Sequence, residues 1–281
     1  MHFVDIHPHI ISPDTGKYPR APLGGSQSKW SSEHTMTFEQ MIAEMDETGV
    51  DRSVLVQAAT CYGYDNSYVA DAVAAFPDRL GGVFTIDAVA ADAPDKMRYW
   101  VRRGLSGVRL FTKGSTMPDQ ATWFAEEAAF PFWETAGELG IPVCITMSWT
   151  AIDRLRMMLM RYPHVRVILD HLSRPPMDDH PVYAKAASFF ALAEHPNLYL
   201  KITPVNVMEI EQARAFDFLP KIVQAFGADR IAWGSNYPSS GHTLHEAWEI
   251  NWKAAASLSD SDRRQIFCAT ALSLYPSLVP A

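Results

Sequence analysis

Short apolar runs alternate with longer amphipathic segments along this 281-residue chain, and that alternation limits the folds open to it. The runs are Phe3–His7, Ser53–Ala58, Leu80–Ile86, Gly107–Phe111, Val143–Thr146, Val167–Asp170, Leu198–Lys201 and Ile231–Gly234. They are short, mostly rich in Val, Ile, Leu and Phe, and bounded by Gly, Pro, Asp or Asn. Near-continuous apolar runs are what parallel strands covered on both faces look like. Between them the pattern predicts helices over Phe38–Thr48, Ser67–Phe76, Asp95–Arg103, Phe130–Leu139, Ile152–Arg161, Val182–Ala193, Ile210–Phe226, Leu244–Ser257 and Asp260–Leu274. Several have a polar cap and a Gly or Pro stop. Eight strands, each followed by a helical segment, predict an α/β fold of the (β/α)8 TIM-barrel type, in one domain over residues 1–281. A doubly wound open sheet would more often show a Gly-rich phosphate turn after its first strand; here that turn is His7-Pro8-His9.

The longest irregular stretch, residues 8–36, separates the first strand from the first helix and contains Tyr18 and Trp30. Loops of this length inside a compact domain are usually functional or disordered. After a barrel strand such a loop lies on the catalytic face, so it is expected to act as a lid.

Composition excludes several function classes. With 48% hydrophobic residues the chain has material for one large core. A net charge of −8 without a Lys/Arg run argues against nucleic acid or anionic membrane partners. Cys61, Cys144 and Cys268 form no CxxC pair, which suits free thiols in a reducing compartment. The first residues lack a basic segment followed by an apolar one, and no apolar stretch approaches the ~18–20 residues of a membrane span. A soluble cytoplasmic protein is expected. A homo-oligomer is compatible with all of this.

Chemistry-bearing residues cluster at predicted strand ends. His7 and His9 form an HxH pair, and period-two alternation puts Asp5, His7 and His9 on one side of the first strand. Two neutral imidazoles there form a metal half-site or a proton-transfer and hydrogen-bonding pair; otherwise they are loop histidines. The apolar run Val167-Ile168-Leu169 leads into Asp170-His171, a polar dyad where barrel enzymes place catalytic groups. Asn236, in Trp233-Gly234-Ser235-Asn236-Tyr237-Pro238, reads from this string alone as turn chemistry. Arg109 lies inside an apolar strand, so its guanidinium must be paired or face a wet cavity, where it could clamp a carboxylate. Lys113, Lys201 and Arg174 could add positive charge, and Tyr62 and Tyr64 could line the pocket or only pack the lid. The Met157-Met158-Leu159-Met160 stretch reads as helix packing, and His242 with His245 as a solvated first turn. No phosphate loop, GxSxG or dinucleotide fingerprint is present.

The strings Asp5-Ile6-His7-Pro8-His9, Tyr62-Gly63-Tyr64-Asp65-Asn66, Gly107-Val108-Arg109-Leu110, Asp170-His171, Lys201 and Trp233-Gly234-Ser235-Asn236-Tyr237-Pro238 together resemble the amidohydrolase-2 family of the metal-dependent hydrolase superfamily. More closely they resemble its lactonase branch of pyrone-dicarboxylate and sugar-lactone hydrolases. The resemblance implies a barrel in which His7, His9, His171 and the eighth-strand residue surround a reacting carbonyl. Two positions depart from the pattern. Asn236 stands where the family usually has Asp, and Thr146-Met147 ends the fifth strand where metal-binding relatives place a His. An amide cannot act as a general base and is a weak, neutral ligand. The implied cofactor is therefore one divalent ion, Zn or Mn, at His7 and His9, weakly held or absent. The implied activity is hydrolysis of a lactone or related cyclic ester bearing a carboxylate, in the breakdown of aromatic or sugar-derived acids. His171 and Asn236 would act in catalysis, and Arg109, Lys201, Arg174 and Tyr62 in substrate binding. A nonoxidative decarboxylase or hydratase, and an inactive barrel that binds a small acid, are the alternative readings.

Overall fold

In the computed structural model, which describes residues 2–117 and 119–279, eight parallel strands run in the order β1 to β8 around a nearly closed barrel. They are β1 (Val4–Asp5), β2 (Arg52–Val56), β3 (Leu80–Thr85), β4 (Gly107–Phe111), β5 (Val143–Thr146), β6 (Val167–Leu169), β7 (Leu198–Ile202) and β8 (Ile231–Trp233). The seam between β8 and β1 is drawn together by Ile6 N donating to Trp233 O at 3.2 Å and Ser235 N donating to Asp5 Oδ1 at 2.9 Å. Every predicted strand is present, shifted by at most two residues at its ends.

Strand register decides which residues face inward. Arg109 is level with Cys144, Cys144 with Ile168 and Ile168 with Tyr199, so these four share the inner face. Alternation then turns Thr146 and Lys201 inward as well. Val4, Ile6, Val54, Val56, Val83, Cys144, Ile168 and Ala232 form the small inner cluster, stopped from below by Leu274, Tyr275 and Leu278. The opposite faces carry Leu55, Phe84, Leu110, Ile145, Leu169, Leu200 and Trp233 into the larger core beneath the helices. Burial on both faces is why the strands read as apolar runs.

Strict alternation fails in one place that matters. Asp5 is level with Ser53 rather than with the inward row, because Val4 and Ile6 take the inner face. The strand ends at Asp5, and His7 reaches the lumen only because the chain leaves the sheet there. Asp5 turns to the seam instead, where it accepts from the backbone N–H of both His7 and Ser235 at 2.9 Å.

The helices Phe38–Thr48, Phe130–Leu139 and Ile152–Arg161 have the predicted bounds. The predicted helix Ile210–Phe226 is two helices, Pro204–Ala213 and Phe218–Phe226, broken at Arg214, whose φ of 53° is left-handed. Val182–Ala193 holds only the short helix Ala187–Ala191 between 3-10 turns, and Asp260–Leu274 is interrupted by a π-turn over Gln265–Ala269. Residues 8–36 are pinned to the barrel. Ile11 pairs with Met36, Arg20 donates to the Tyr62 hydroxyl and to Ser12 O, and the helix Lys29–Glu33 carries Trp30. Among the described residues no helix is long and apolar enough to cross a membrane.

Gly234 is the glycine on which the site's position depends. A Cβ there would lie 2.5 Å from His7 Cβ. Overpacking of this kind typically costs about 1–3 kcal/mol. Gly234→Ala is expected to lower the denaturant midpoint by a corresponding amount and to displace His7. Unchanged stability would show that β1 and β8 have more slack than this contact allows.

Candidate active site

At the C-terminal end of the strands lies a cavity of about 680 Å³ lined by His9, Trp30, Arg109, Phe111, Lys113, Met147, Trp149, Asp170, His171, Arg174 and Asn236, among others. His7 is fully buried beneath it, its ring centroid 5.0 Å from that of His9 and 4.9 Å from that of His171. The four residues singled out from the sequence thus converge at one end of the barrel. Lys201 and Tyr62 do not line the cavity. Lys201 is wholly buried below His7, and the Tyr62 hydroxyl accepts from Ser12 N and Arg20 under the 8–36 segment. Arg174 sits at the rim, paired with Glu209 at 3.2 Å.

Asp170 organises the floor. Its Oδ2 accepts from Arg109 Nε at 2.9 Å and from Thr146 Oγ1 at 3.0 Å, and its Oδ1 lies 2.8 Å from Lys201 Nζ. Burial alone would raise its pKa, but Lys201 and Arg109 outweigh burial and hold the carboxyl well below the usual carboxylate range. Arg109 also donates through Nη2 to Thr146 Oγ1 at 2.6 Å. That occupies the Nε–Nη2 edge of the guanidinium and leaves Nη1 to meet a ligand.

The hydrogen-bond partners assign the three imidazole tautomers. His9 Nδ1 lies 2.7 Å from Val56 O, which can only accept, so Nδ1 carries the proton and Nε2 is a lone pair. His171 Nδ1 lies 2.9 Å from Thr203 Oγ1, whose own proton goes to Asn206 Oδ1, so His171 Nε2 is also a lone pair. His7 Nδ1 lies 2.8 Å from Lys201 Nζ, a pure donor, so His7 carries its proton on Nε2. That buried Nε2–H has no hydrogen-bond partner among the described residues. The site therefore offers one N–H donor and two lone-pair nitrogens. Trp30, from the 8–36 segment, stacks on His9 at 5.3 Å.

His171 reaches inward by way of an unusual turn. His171, Leu172, Ser173 and Arg174 all have left-handed φ, at 53°, 53°, 56° and 49°. Each such non-glycine residue costs roughly 1–2 kcal/mol. The turn is held by Asn206 Nδ2 donating to His171 O at 2.8 Å, Arg174 N donating to the same oxygen at 3.0 Å, and Ser173 Oγ donating to Met147 O at 3.1 Å. Asn236 also has left-handed φ, 55°, which Asn tolerates better than most residues. Sequence reasoning placed Asp170 in a polar dyad with His171 and Trp30 in the expected lid, but gave Thr203 and the Thr146 hydroxyl no place in the site. The strand parity shared by Thr203 and Lys201 was the available signal for Thr203.

A barrel with two histidines at the first strand, a third after the sixth and a polar turn after the eighth defines a class of hydrolytic enzymes. The match to the amidohydrolase family runs over residues 4–277, and the chain belongs to that family. It is similar to an L-fucono-1,5-lactonase of Burkholderia ambifaria (25% identical; 84% of this chain, 80% of that protein). It is also similar to a 4-sulfomuconolactone hydrolase of Hydrogenophaga intermedia (26% identical; 85% of this chain, 75% of that protein). Its fold matches that of a putative 2-pyrone-4,6-dicarboxylic acid hydrolase from Pseudomonas putida (TM-score 0.79, 22% identical, 99% of each chain).

Amidohydrolases typically bind a divalent metal, and a Burkholderia multivorans amidohydrolase of the same fold (TM-score 0.74, 17% identical; 98% of this chain, 99% of that one) was solved with bound zinc. The donor set here does not suit one. His7 presents a proton where a ligand needs a lone pair, Asn236 is neutral, and both oxygens of Asp170 are committed to other groups. Two cations, Arg109 and Lys201, stand beside the same histidines. Among the described residues no group of three or more His, Cys, Asp or Glu is placed to hold a metal ion.

Burial lowers all three imidazole pKa values, helped by Lys201 and Arg109: His9 to about 4, His171 to about 3, and His7 well below its ordinary value. Burial raises Asp5 to about 6, against the opposing hydrogen bonds from Ser235 and His7. Unfolded histidines take up protons below about pH 6.5 while these three stay neutral, so folding stability must fall as pH drops from there towards 4. Asp5 works the other way, since the folded state binds its proton first between pH 3.8 and about 6. Three groups against one leave a net loss, each worth up to about 1.4 kcal/mol per pH unit. Urea midpoints are expected to decline from about pH 7 to about pH 5, and His171→Gln should flatten the decline. A pH-independent midpoint would contradict the neutral assignment.

Proposed function

We propose that this protein hydrolyses a flat, unsaturated lactone bearing a carboxylate, without a tightly held metal ion. The observation that carries the reading is a set of buried, neutral imidazoles of fixed tautomer beside a cationic cavity. Among the described residues Arg109, Lys113 and Arg174 line it against a single lining carboxylate, Asp170, whose Oδ2 accepts from Arg109 and whose Oδ1 is ion-paired with Lys201. Such a cavity attracts anions. Trp30, Phe111 and Trp149 supply flat walls. Segment 8–36 acts as the lid through Trp30. Three free cysteines, Cys61 and Cys144 buried and Cys268 partly so, suit a reducing cytoplasm.

In the proposed reaction Arg109 Nη1 holds the substrate carboxylate. Water attacks the lactone carbonyl and gives a proton to His171 Nε2, which Thr203 and Asn206 keep oriented. The carbonyl oxygen takes up negative charge and receives a hydrogen bond from the Asn236 amide. The ring C–O bond then breaks, and the departing oxygen takes the proton from His171. The net change is addition of one water.

The test is a panel of carboxylated lactones assayed in chelator with product mass measured. Gain of water supports the reading, and loss of carbon dioxide would instead mark a decarboxylase. Hydrogen bonds to charged groups contribute about 1.5–3 kcal/mol. Arg109→Lys, which keeps the charge but loses the Nη1 donor left for the ligand, is therefore expected to raise KM about 10- to 100-fold. Unchanged KM would remove Arg109 from substrate binding. Asn236→Ala should lower kcat about 100-fold with KM nearly unchanged, as loss of an oxyanion donor does. A change confined to KM would make Asn236 a binding residue only.

A further inference from the structure

The geometry points to Lys201 as the residue that fixes which nitrogen of His7 carries the proton, and so decides whether the HxH pair donates a hydrogen bond or ligates a metal. Lys201 Nζ is fully buried and has three protons to place. It lies 2.8 Å from Asp170 Oδ1, 2.8 Å from His7 Nδ1 and 3.8 Å from Cys144 Sγ. One acceptor thus stands within reach of each N–H, and none of the three contacts can run in reverse while the lysine is an ammonium.

The second observation is what Lys201 separates. His7 Nδ1 is only 3.8 Å from Asp170 Oδ1, both wholly buried. A carboxylate facing an imidazole Nδ1 is the arrangement that holds the proton on Nδ1 and turns Nε2 into a metal-binding lone pair. Lys201 occupies the bridging position between them and hands His7 a proton where the carboxylate would have accepted one. The result is the buried Nε2–H that has no partner among the described residues and sits between His9 and His171. Lys201 is a positioning residue, since it acts through His7 and does not line the cavity.

Two consequences separate this role from a structural one. In the wild-type protein His7 carries its proton on Nε2. With Lys201 replaced by a group of similar length and no donor, Asp170 takes the Nδ1 proton as its partner and His7 Nε2 becomes a lone pair beside those of His9 and His171. Three imidazole lone pairs then face one another and can hold zinc.

The experiment is long-range ¹H–¹⁵N correlation spectroscopy on the labelled full chain, free of substrate, in wild-type and Lys201→Met forms. The His7 ring signals are assigned by their loss in His7→Gln or, should that variant not fold, by through-bond correlation along the side chain. The expected result is an Nε2–H tautomer in the wild type and an Nδ1–H tautomer in Lys201→Met. Zinc chloride titrated into chelator-treated protein by calorimetry should bind the variant at least about 10- to 100-fold more tightly than the wild type. A wild-type His7 with its proton on Nδ1 overturns the inference, even if Lys201→Met does not fold. So does a folded variant with unchanged tautomer and zinc affinity. What the His7 tautomer means for catalysis rests on the lactone-hydrolase reading, but these two readouts need no substrate. The tautomer can therefore stand if no lactone is turned over, and lactone turnover can stand if the tautomer is wrong.

Discussion

The Asp170 carboxylate is the point on which the upper half of the barrel turns. Charges buried at this depth normally cost more in lost hydration than their attraction returns. They persist here because each oxygen has its own cation, Arg109 from β4 and Lys201 from β7, and because Thr146 on β5 satisfies a further lone pair. Through Lys201 the cluster also reaches His7, beyond the end of β1. Removing one member would strand the others as unpaired buried charge. The cluster therefore ties neighbouring strands together and fixes the floor of the candidate site with the same bonds.

The histidines above that floor are held by a different kind of support. His171 stands on a four-residue left-handed turn that no local preference favours, and the helix beginning at Pro204 holds it there through Asn206. Asn206 Oδ1 also takes the Thr203 proton, which leaves Thr203 Oγ1 free to accept from His171. One asparagine on a helix thus sets both the backbone and the protonation of a residue at the end of a strand. The strain is local, while the bonds that offset it come from β7 and the helix after it.

Much of this was legible in the sequence, and the reasons are physical. Two-sided burial writes strands as apolar runs, so all eight strands were readable, as were helices with clear stops such as Gly49 and Gly140. Polar groups at the ends of such runs, or a charge inside one, are conspicuous, which is why His7, His9, His171 and Arg109 stood out; Asn236 drew notice only through the family pattern. The rest depended on geometry that a string does not carry. The bend after Asp5 reverses which residues of β1 face inward, and only register reveals it. Lys201 reads as a pocket lysine until its depth is known. The break at Arg214 has no Gly or Pro to announce it, since the chain adopts a left-handed φ at an arginine. Trp30 comes from a segment without periodicity, so nothing tied it to His9.

The concentration of positive charge in the cavity has a consequence for turnover. Ester hydrolysis turns a neutral ring into an open chain with one more carboxylate than it had before. Walls that draw in a monoanion will grip the dianion it becomes more firmly, because Lys113 and Arg174 line the same cavity. The surrounding surface is net acidic, at −8 for the whole chain, so a departing dianion moves from an attractive pocket into a repelling field. In such an enzyme escape, rather than bond breaking, becomes the slow event, and added salt that screens the rim would quicken the cycle even as it weakens capture.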